Sequence, residues 1–183
     1  MTTTALVPPS LDRYDGWAAC VADFGAAHMD GSGYHGPPAD TSREGFASYV
    51  AERLLMADPA WEPPEGRVPC SFAWIVEGPG SPDVLGFLAI RHRLNDFLLE
   101  QGGHVGYAVR PSRRREGHAG RALALALPMC ARLGIDRVLV TCDDDNVASA
   151  RTIERNGGVL EDVRGVKRRY WVTPQPGEPA SPA

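Results

Sequence analysis

The sequence predicts a mixed α/β (α+β) domain: one central sheet flanked by helices. Three observations lead there. Two N-terminal stretches repeat apolar residues at helical spacing, and strand-like runs take over from residue 71. Later stretches read helix, strand, helix and hairpin in turn. The 183 residues are 43% hydrophobic and 23% charged, enough apolar material for a core and too much for a disordered chain. That length corresponds to about one domain of roughly 150 residues.

Leu11, Tyr14, Trp17, Ala18, Val21 and Phe24 recur at spacings of three and four, which predicts a helix over 10–24 with Ser10 as its N-cap. Residues 29–38 (MDGSGYHGPP) are loop chemistry. A second helix starts at Thr41 or Ser42, with Phe46, Tyr49, Val50 and Leu54 on one face, and ends before Asp58-Pro59. Residues 71–77 and 84–93 read as strands joined by a GPGSPD turn, and the second is apolar on both faces, so it belongs inside the sheet. Residues 95–101 allow one or two helical turns, and a third strand, 104–110, stops at Pro111.

Residues 117–133 (GHAGRALALALPMCARL) fit either period. Length, alanine content and the Gly-rich entry favour a helix, which Pro128 should kink or break. A buried strand over 137–142, a helix over 146–155 stopped by Asn156-Gly157-Gly158, and a hairpin of 159–163 with 167–172 complete the domain, 1–173. Residues 174–183 (PQPGEPASPA) read as a disordered tail.

Lys plus Arg total 19 against 23 Asp plus Glu, a net charge of −4. That argues against a nucleic-acid partner despite the basic runs at 113–115 and 167–169. Cys20, Cys70, Cys130 and Cys142 form no CxxC pair or zinc-type cluster, so they are expected to be reduced, buried thiols, with no metal. The N-terminus lacks a signal-peptide pattern, and the longest strongly apolar stretch, 122–131, is about half a membrane span. The expectation is a cytoplasmic protein with no membrane partner.

The chemistry concentrates in residues 107–122, YAVRPSRRREGHAGRA. A strand runs into a turn containing Arg114-x-x-Gly117-x-Ala119-Gly120, and a helix begins there. Small residues let a ligand approach the backbone, and unpaired N–H groups at the helix start favour an anion. Arg113, Arg114 and Arg115 add to that preference, so the site wants a phosphate or pyrophosphate. A P-loop would need Gly-Lys-Ser/Thr and a dinucleotide fingerprint Gly-x-Gly-x-x-Gly; the segment has neither.

The turn resembles motif A of the GNAT superfamily of acyl-CoA N-acyltransferases, Arg/Gln-x-x-Gly-x-Gly/Ala. Val109-Arg110-Pro111-Ser112-Arg113-Arg114 is similar to the V-x-P-x-x-R lead-in of that family. The stretch from Asn146 through Ser149, Ile153 and Arg155 to Gly157 resembles its N-x-x-A-x-x-x-Y-x-K-x-G helix. Together these look most like an uncharacterised predicted-acetyltransferase branch, over about 6–172.

The resemblance implies a GNAT-type sheet in which the strand around 107–109 splays from the strand of 137–142 and admits acetyl-CoA. It implies that the backbone of Arg114, Arg115, Glu116, Gly117, His118, Ala119 and Gly120 holds the pyrophosphate. The Val109 N–H would polarise the thioester and Asn146 would contact the pantetheine arm. The family's tyrosine acid aligns with Ile153, so Ser149 becomes a candidate proton donor. His104 is the first candidate base, Tyr107 the second, and His92 a further one. Strand alternation sets His104 and Tyr107 on opposite faces. Asp143-Asp144-Asp145 could attract a cationic amine or form a solvated, capping loop. Trp61, Trp74 and Tyr34 could line an acceptor pocket or serve as core.

The implied activity is transfer of acetyl from acetyl-CoA to a primary amine, on a small molecule, protein or peptide, by direct attack in a ternary complex. Ile153 in the tyrosine position motivates an alternative, a non-catalytic acyl-CoA sensor of the same fold. Dimers are common in the superfamily, which leaves a homodimer open.

Overall fold

A computed structural model describes residues 3–34 and 39–174; most of the expected tail lies outside the described residues. The elements run β1 (Ala5–Val7), α1 (Tyr14–Phe24), α2 (Arg43–Leu55), β2 (Cys70–Val76), β3 (Val84–Arg91), β4 (Val105–Val109), α3 (His118–Arg132), β5 (Val138–Asp143), α4 (Val147–Arg155), β6 (Val159–Arg164) and β7 (Lys167–Val172). A 3-10 turn at Leu11–Arg13 precedes α1, a π turn at Leu98–Gly102 precedes β4, and a 3-10 turn at Pro111–Arg113 follows it.

One seven-stranded sheet has the order β1-β2-β3-β4-β5-β7-β6. All neighbours are antiparallel except β4 and β5. α1 and α2 cover one face around Trp17, Phe46, Trp74 and Phe87. α3 and α4 cover the other, where Leu88, Leu123, Val140 and Ile153 meet. β3 lies inside the sheet, buried from Val84 to Ile90, as its two apolar faces predict.

Three details depart from the sequence expectations. β1 was not predicted: three residues ahead of Pro8-Pro9 carry no readable period, and pairing with β2 makes the strand. Ser10 is extended at the helix entry, but its hydroxyl turns to the Asp12 carboxylate and caps no N–H. Pro128 does not break α3, which runs unbroken from His118 to Arg132. The carbonyl deprived of a donor belongs to exposed Ala124, on the side open to water. The two-way period of this segment resolves as helix: Ala122, Leu123, Ala126, Leu127 and Cys130 are buried while Leu125 is exposed. Ser42 caps α2 as expected, accepting from the Gly45 N–H at 3.0 Å. All four cysteines are free and buried.

Candidate active site

β4 and β5 meet at a single register pair, Val105 with Val140, and diverge beyond it. The Arg110 N–H donates to Leu85 O at 2.8 Å and the Arg91 N–H to His104 O at 2.8 Å. Those bonds fix the alternation along β4, so the peptide groups of Tyr107 and Val109 turn from β3 toward the gap. Arg114 Nε donates to the Val109 carbonyl at 3.0 Å. The Val109 N–H therefore points into the gap, where a thioester carbonyl would find a donor.

The gap opens on the turn before α3. Among the described residues, the backbone N–H groups from Arg115 to Gly120 have no protein acceptor. Arg115 (φ 66°) and Gly117 (φ 81°) are both left-handed, and Arg115 is the one non-glycine residue among those described with positive φ. Left-handed residues in a turn gather successive N–H groups into an anion-binding concavity, here at the positive end of a helix dipole. A Cβ on Gly120 would meet nothing nearer than Asn156 Nδ2 at 4.0 Å.

Side chains hold this turn in shape. Arg121 Nε donates to Thr4 Oγ1 at 2.7 Å, and the Thr4 hydroxyl reaches His118 Nδ1 at 2.9 Å. His118 Nε2 meets Glu116 Oε2 at 3.2 Å, where an Nε2–H donates to the carboxylate. Arg113 bridges Glu77 (2.8 Å) and Glu116 (2.9 Å). The Glu116 carboxyl is held below its usual range, first by Arg113 and then by His118. Arg113, shared between the two carboxylates, offsets part of the Glu116 charge, and the Glu116 N–H keeps no protein acceptor among the described residues.

Across the cleft, Asn146 Oδ1 caps α4 by accepting from the Ser149 N–H at 3.0 Å. Ser149 Oγ lies 3.0 Å from the Tyr107 hydroxyl. Burial pushes the Tyr107 phenol up to about 12, against a smaller opposing effect of the Ser149 bond. A phenol held protonated in this way is placed to exchange a hydrogen bond with Ser149 Oγ. Ile153 is fully buried in the α3–α4 core and faces away from the cleft. Arg114, Arg115 and Arg155 line the same cleft without a carboxylate partner among the described residues; Arg155 stands at the lysine position of the helix pattern that the sequence resembles.

His104 does not reach the cleft. It is 8% exposed and its Nδ1 accepts from the Leu139 N–H at 2.9 Å, tying β4 to β5 below the splay. Burial, then the Arg91 guanidinium, lowers its pKa to about 4. His92 bonds Ser71 Oγ at 2.8 Å and also lies away from the cleft, its pKa lowered by burial. Asp143 pairs with Lys167 (2.5 Å) and Asp144 with Arg168 (2.6 Å), while Asp145 has no ion pair among the described residues. Trp74 is core, Trp61 packs on a small cluster with Met56, Cys70 and Ala89, and Tyr34 lines a cavity.

Sequence reasoning missed a histidine–aspartate pair. His28 Nδ1 lies 3.1 Å from Asp30 Oδ1. Both line the cleft and also an adjoining cavity of about 270 Å³ between the α1–α2 loop and β2–β3. The loop lies so close to the sheet that a Cβ on Gly31 would fall 2.5 Å from Gly106 O. Ser32 O accepts from Tyr49 Oη (2.9 Å) and Arg53 Nε (3.1 Å), and Gly33 O from Arg53 Nη2 (2.9 Å). No local period marks these residues, because contacts from α2 place them.

Among the described residues, no group of three or more His, Cys, Asp or Glu side chains could hold a metal ion. None of their helices is long and apolar enough to cross a membrane.

Residues 5–159 match the family model described as an acetyltransferase (GNAT) domain. No curated protein matches the sequence. Several solved structures share the fold. RimJ of Mycobacterium smegmatis, in complex with a coenzyme A disulfide, has TM-score 0.67 at 20% identity, over 93% of this chain and 81% of that one. RimL, a ribosomal L7/L12 α-N-protein acetyltransferase in complex with coenzyme A, has TM-score 0.67 at 18% identity, over 94% and 95%. The microcin C7 self-immunity acetyltransferase MccE, in complex with acetyl-CoA and AMP, has TM-score 0.64 at 14% identity, over 93% and 92%. With its splayed β4–β5 pair and a family model that spans most of its length, this chain belongs to the GNAT acetyltransferase family.

Proposed function

We propose that the protein transfers acetyl from acetyl-CoA to a primary amine by direct attack in a ternary complex. The observation that carries this is the row of unpaired N–H groups from Arg115 to Gly120, set opposite the gap between β4 and β5. The turn would hold the pyrophosphate, Asn146 the pantetheine arm, and the Val109 N–H the thioester oxygen. Neighbours of the same fold crystallised with coenzyme A or acetyl-CoA support that choice of cofactor.

In this reading His28 is the base. Asp30 accepts from Nδ1 and orients the ring, which leaves Nε2 free to take a proton from the attacking ammonium. The neutral nitrogen bonds to the thioester carbon, the carbon–sulfur bond breaks, and the sulfur leaves as thiolate. Ser149 Oγ, backed by the Tyr107 hydroxyl, supplies the proton that completes the thiol, and the second proton shed by the attacking nitrogen as the amide forms passes through solvent to restore the Ser149 hydroxyl. The pair thus takes the place that Ile153 leaves empty.

Calorimetric titration with acetyl-CoA, coenzyme A and ATP tests the cofactor. Micromolar binding of the first two with ATP far weaker is expected; equal affinity for ATP, or no binding, refutes the reading. Turnover of a primary-amine panel follows, with His28→Ala expected to lower kcat by about 10²-fold or more. Tight acetyl-CoA binding with no acetylated amine would instead support a sensor module.

A further inference from the structure

We propose that the cavity beside the cleft takes a small free amine that also carries a carboxylate, bound by Arg91, and an apolar group: an aminocarboxylate the size of an apolar α-amino acid. The proposal rests on the reading of the cleft as an acyl-CoA site and names the acceptor class for it.

At about 270 Å³ the cavity lies just below the usual range for small-molecule pockets. Met56, Val68, Phe72, Ala89 and Leu98 give it an apolar wall. Four charged or titratable side chains line it, His28, Asp30, Arg67 and Arg91, and Arg67 is already paired with Glu52. Asp30 and His28 stand on the side shared with the cleft, where the reacting amine must lie. Arg91, the last residue of β3, stands on the sheet side.

Arg91 is only partly used by the protein. Nη1 donates to Gly102 O at 2.9 Å and Gly103 O at 3.3 Å. Nε and Nη2 have no acceptor among the described residues, and neither is sealed from solvent. No carboxylate of the described residues pairs with it, although the two other arginines beside the cavity each have one: buried Arg53 pairs with Glu52 at 2.9 Å and exposed Arg67 with Glu52 at 3.3 Å. Burial lowers the Arg91 pKa, with Cys70 and then Asp30 acting against that shift. A half-buried guanidinium with two free donors in a planar fork fits a carboxylate in bidentate fashion.

The ligand that satisfies both ends is a zwitterion: ammonium toward Asp30 and His28, carboxylate on Arg91, apolar substituent against Met56 and Phe72. The N-terminus of a protein offers a neutral amide where the carboxylate would lie. It would leave the guanidinium unmatched, and a continuing chain would need an exit from an already small cavity.

The test titrates L-leucine, L-methionine and L-phenylalanine, their carboxamides, and tripeptides beginning with the same residues, into protein saturated with coenzyme A. At least one free acid is expected to bind tenfold or more tightly than its carboxamide. Arg91→Gln, which keeps a donor for the Gly102 and Gly103 carbonyls, should bring that ratio to about one while coenzyme A affinity stays within twofold. Arg91→Lys should restore part of the preference. Carboxamides or tripeptides binding as tightly as the acids overturns the proposal. So does the failure of every acid to bind while coenzyme A binds normally. Failure to bind coenzyme A overturns the acyltransferase reading first and this proposal with it.

Discussion

Gly120→Ala separates the stability of α3 from its proposed ligand. Gly120 is the third residue of α3 and lines the cleft. An added methyl meets no protein atom within ordinary contact distance, since Asn156 Nδ2 at 4.0 Å is the nearest. Alanine is favoured over glycine in a helix interior by about 0.8–1.0 kcal/mol, and roughly half of that applies in the first turn. For a domain of this size each kcal/mol raises Tm by about 2–4 °C, so the variant should melt about 1–2 °C higher. Acetyl-CoA binding should move the other way. The methyl stands over N–H groups that a pyrophosphate would approach, and losing one charge-assisted hydrogen bond costs about 1.5–3 kcal/mol, roughly 10- to 150-fold in Kd. Thermal melts and calorimetry on the same sample give both numbers. A variant that is more stable and binds acetyl-CoA as tightly as wild type would show that the pyrophosphate is not held here. Gly117 is a poorer probe: at φ 81° any side chain is strained, and a Cβ would lie 2.7 Å from Arg121 Nη1.

Three further outcomes follow from the geometry. Ser149→Ala should lower kcat by about 10²-fold with the KM for acetyl-CoA within twofold, and the deficit should shrink above pH ~8.5, where the thiol needs no acid; a pH-independent deficit would count against proton donation. His104 is neutral in the folded protein down to about pH 4, whereas the unfolded chain takes up the proton near 6.5. Between those values the unfolded state holds more protons, so stability rises with pH and is lost on acidification, by about 3 kcal/mol in all. Denaturant titrations at pH 4 and pH 7 should therefore show a smaller loss for His104→Asn than for wild type, and an equal loss would sink the assignment. Arg53→Ala removes the two donors that hold Ser32 and Gly33, so it should destabilise by about 2–4 kcal/mol and raise the amine KM while leaving the acetyl-CoA Kd near wild type; equal effects on both ligands would mean that the loop serves the cleft as a whole.

The parts of the molecule legible in the sequence are those specified by local chemistry. α2 carries its Ser42 cap, β3 its two apolar faces, and α4 its Asn146 cap and closing glycines, and all appear within two residues of expectation. The proposed cofactor turn is legible for the same reason: a left-handed glycine, small neighbours and a helix start lie within seven residues. β1 could not be read, because a three-residue edge strand exists only through its bonds to β2. Nor could the fate of His104 be read, since Leu139, 35 residues away, takes its lone pair.

The same distinction divides the site itself. The anion turn needs only backbone geometry, so a short pattern specifies it, and relatives below 25% identity can share the scaffold. The acceptor side is assembled from a loop after α1, its anchors on α2, the end of β3 and the turn before β4, and none of these sets the spacing of the others. Arg91 illustrates the consequence. Beside His92 in the sequence it reads as one more charge at the end of a strand. In the fold the π turn at Leu98–Gly102 brings two carbonyls under its guanidinium, and the loop at Gly31 closes the opposite side. The residues proposed to choose an acceptor are thus spread over segments that can vary independently, while those proposed to hold the pyrophosphate sit in one run.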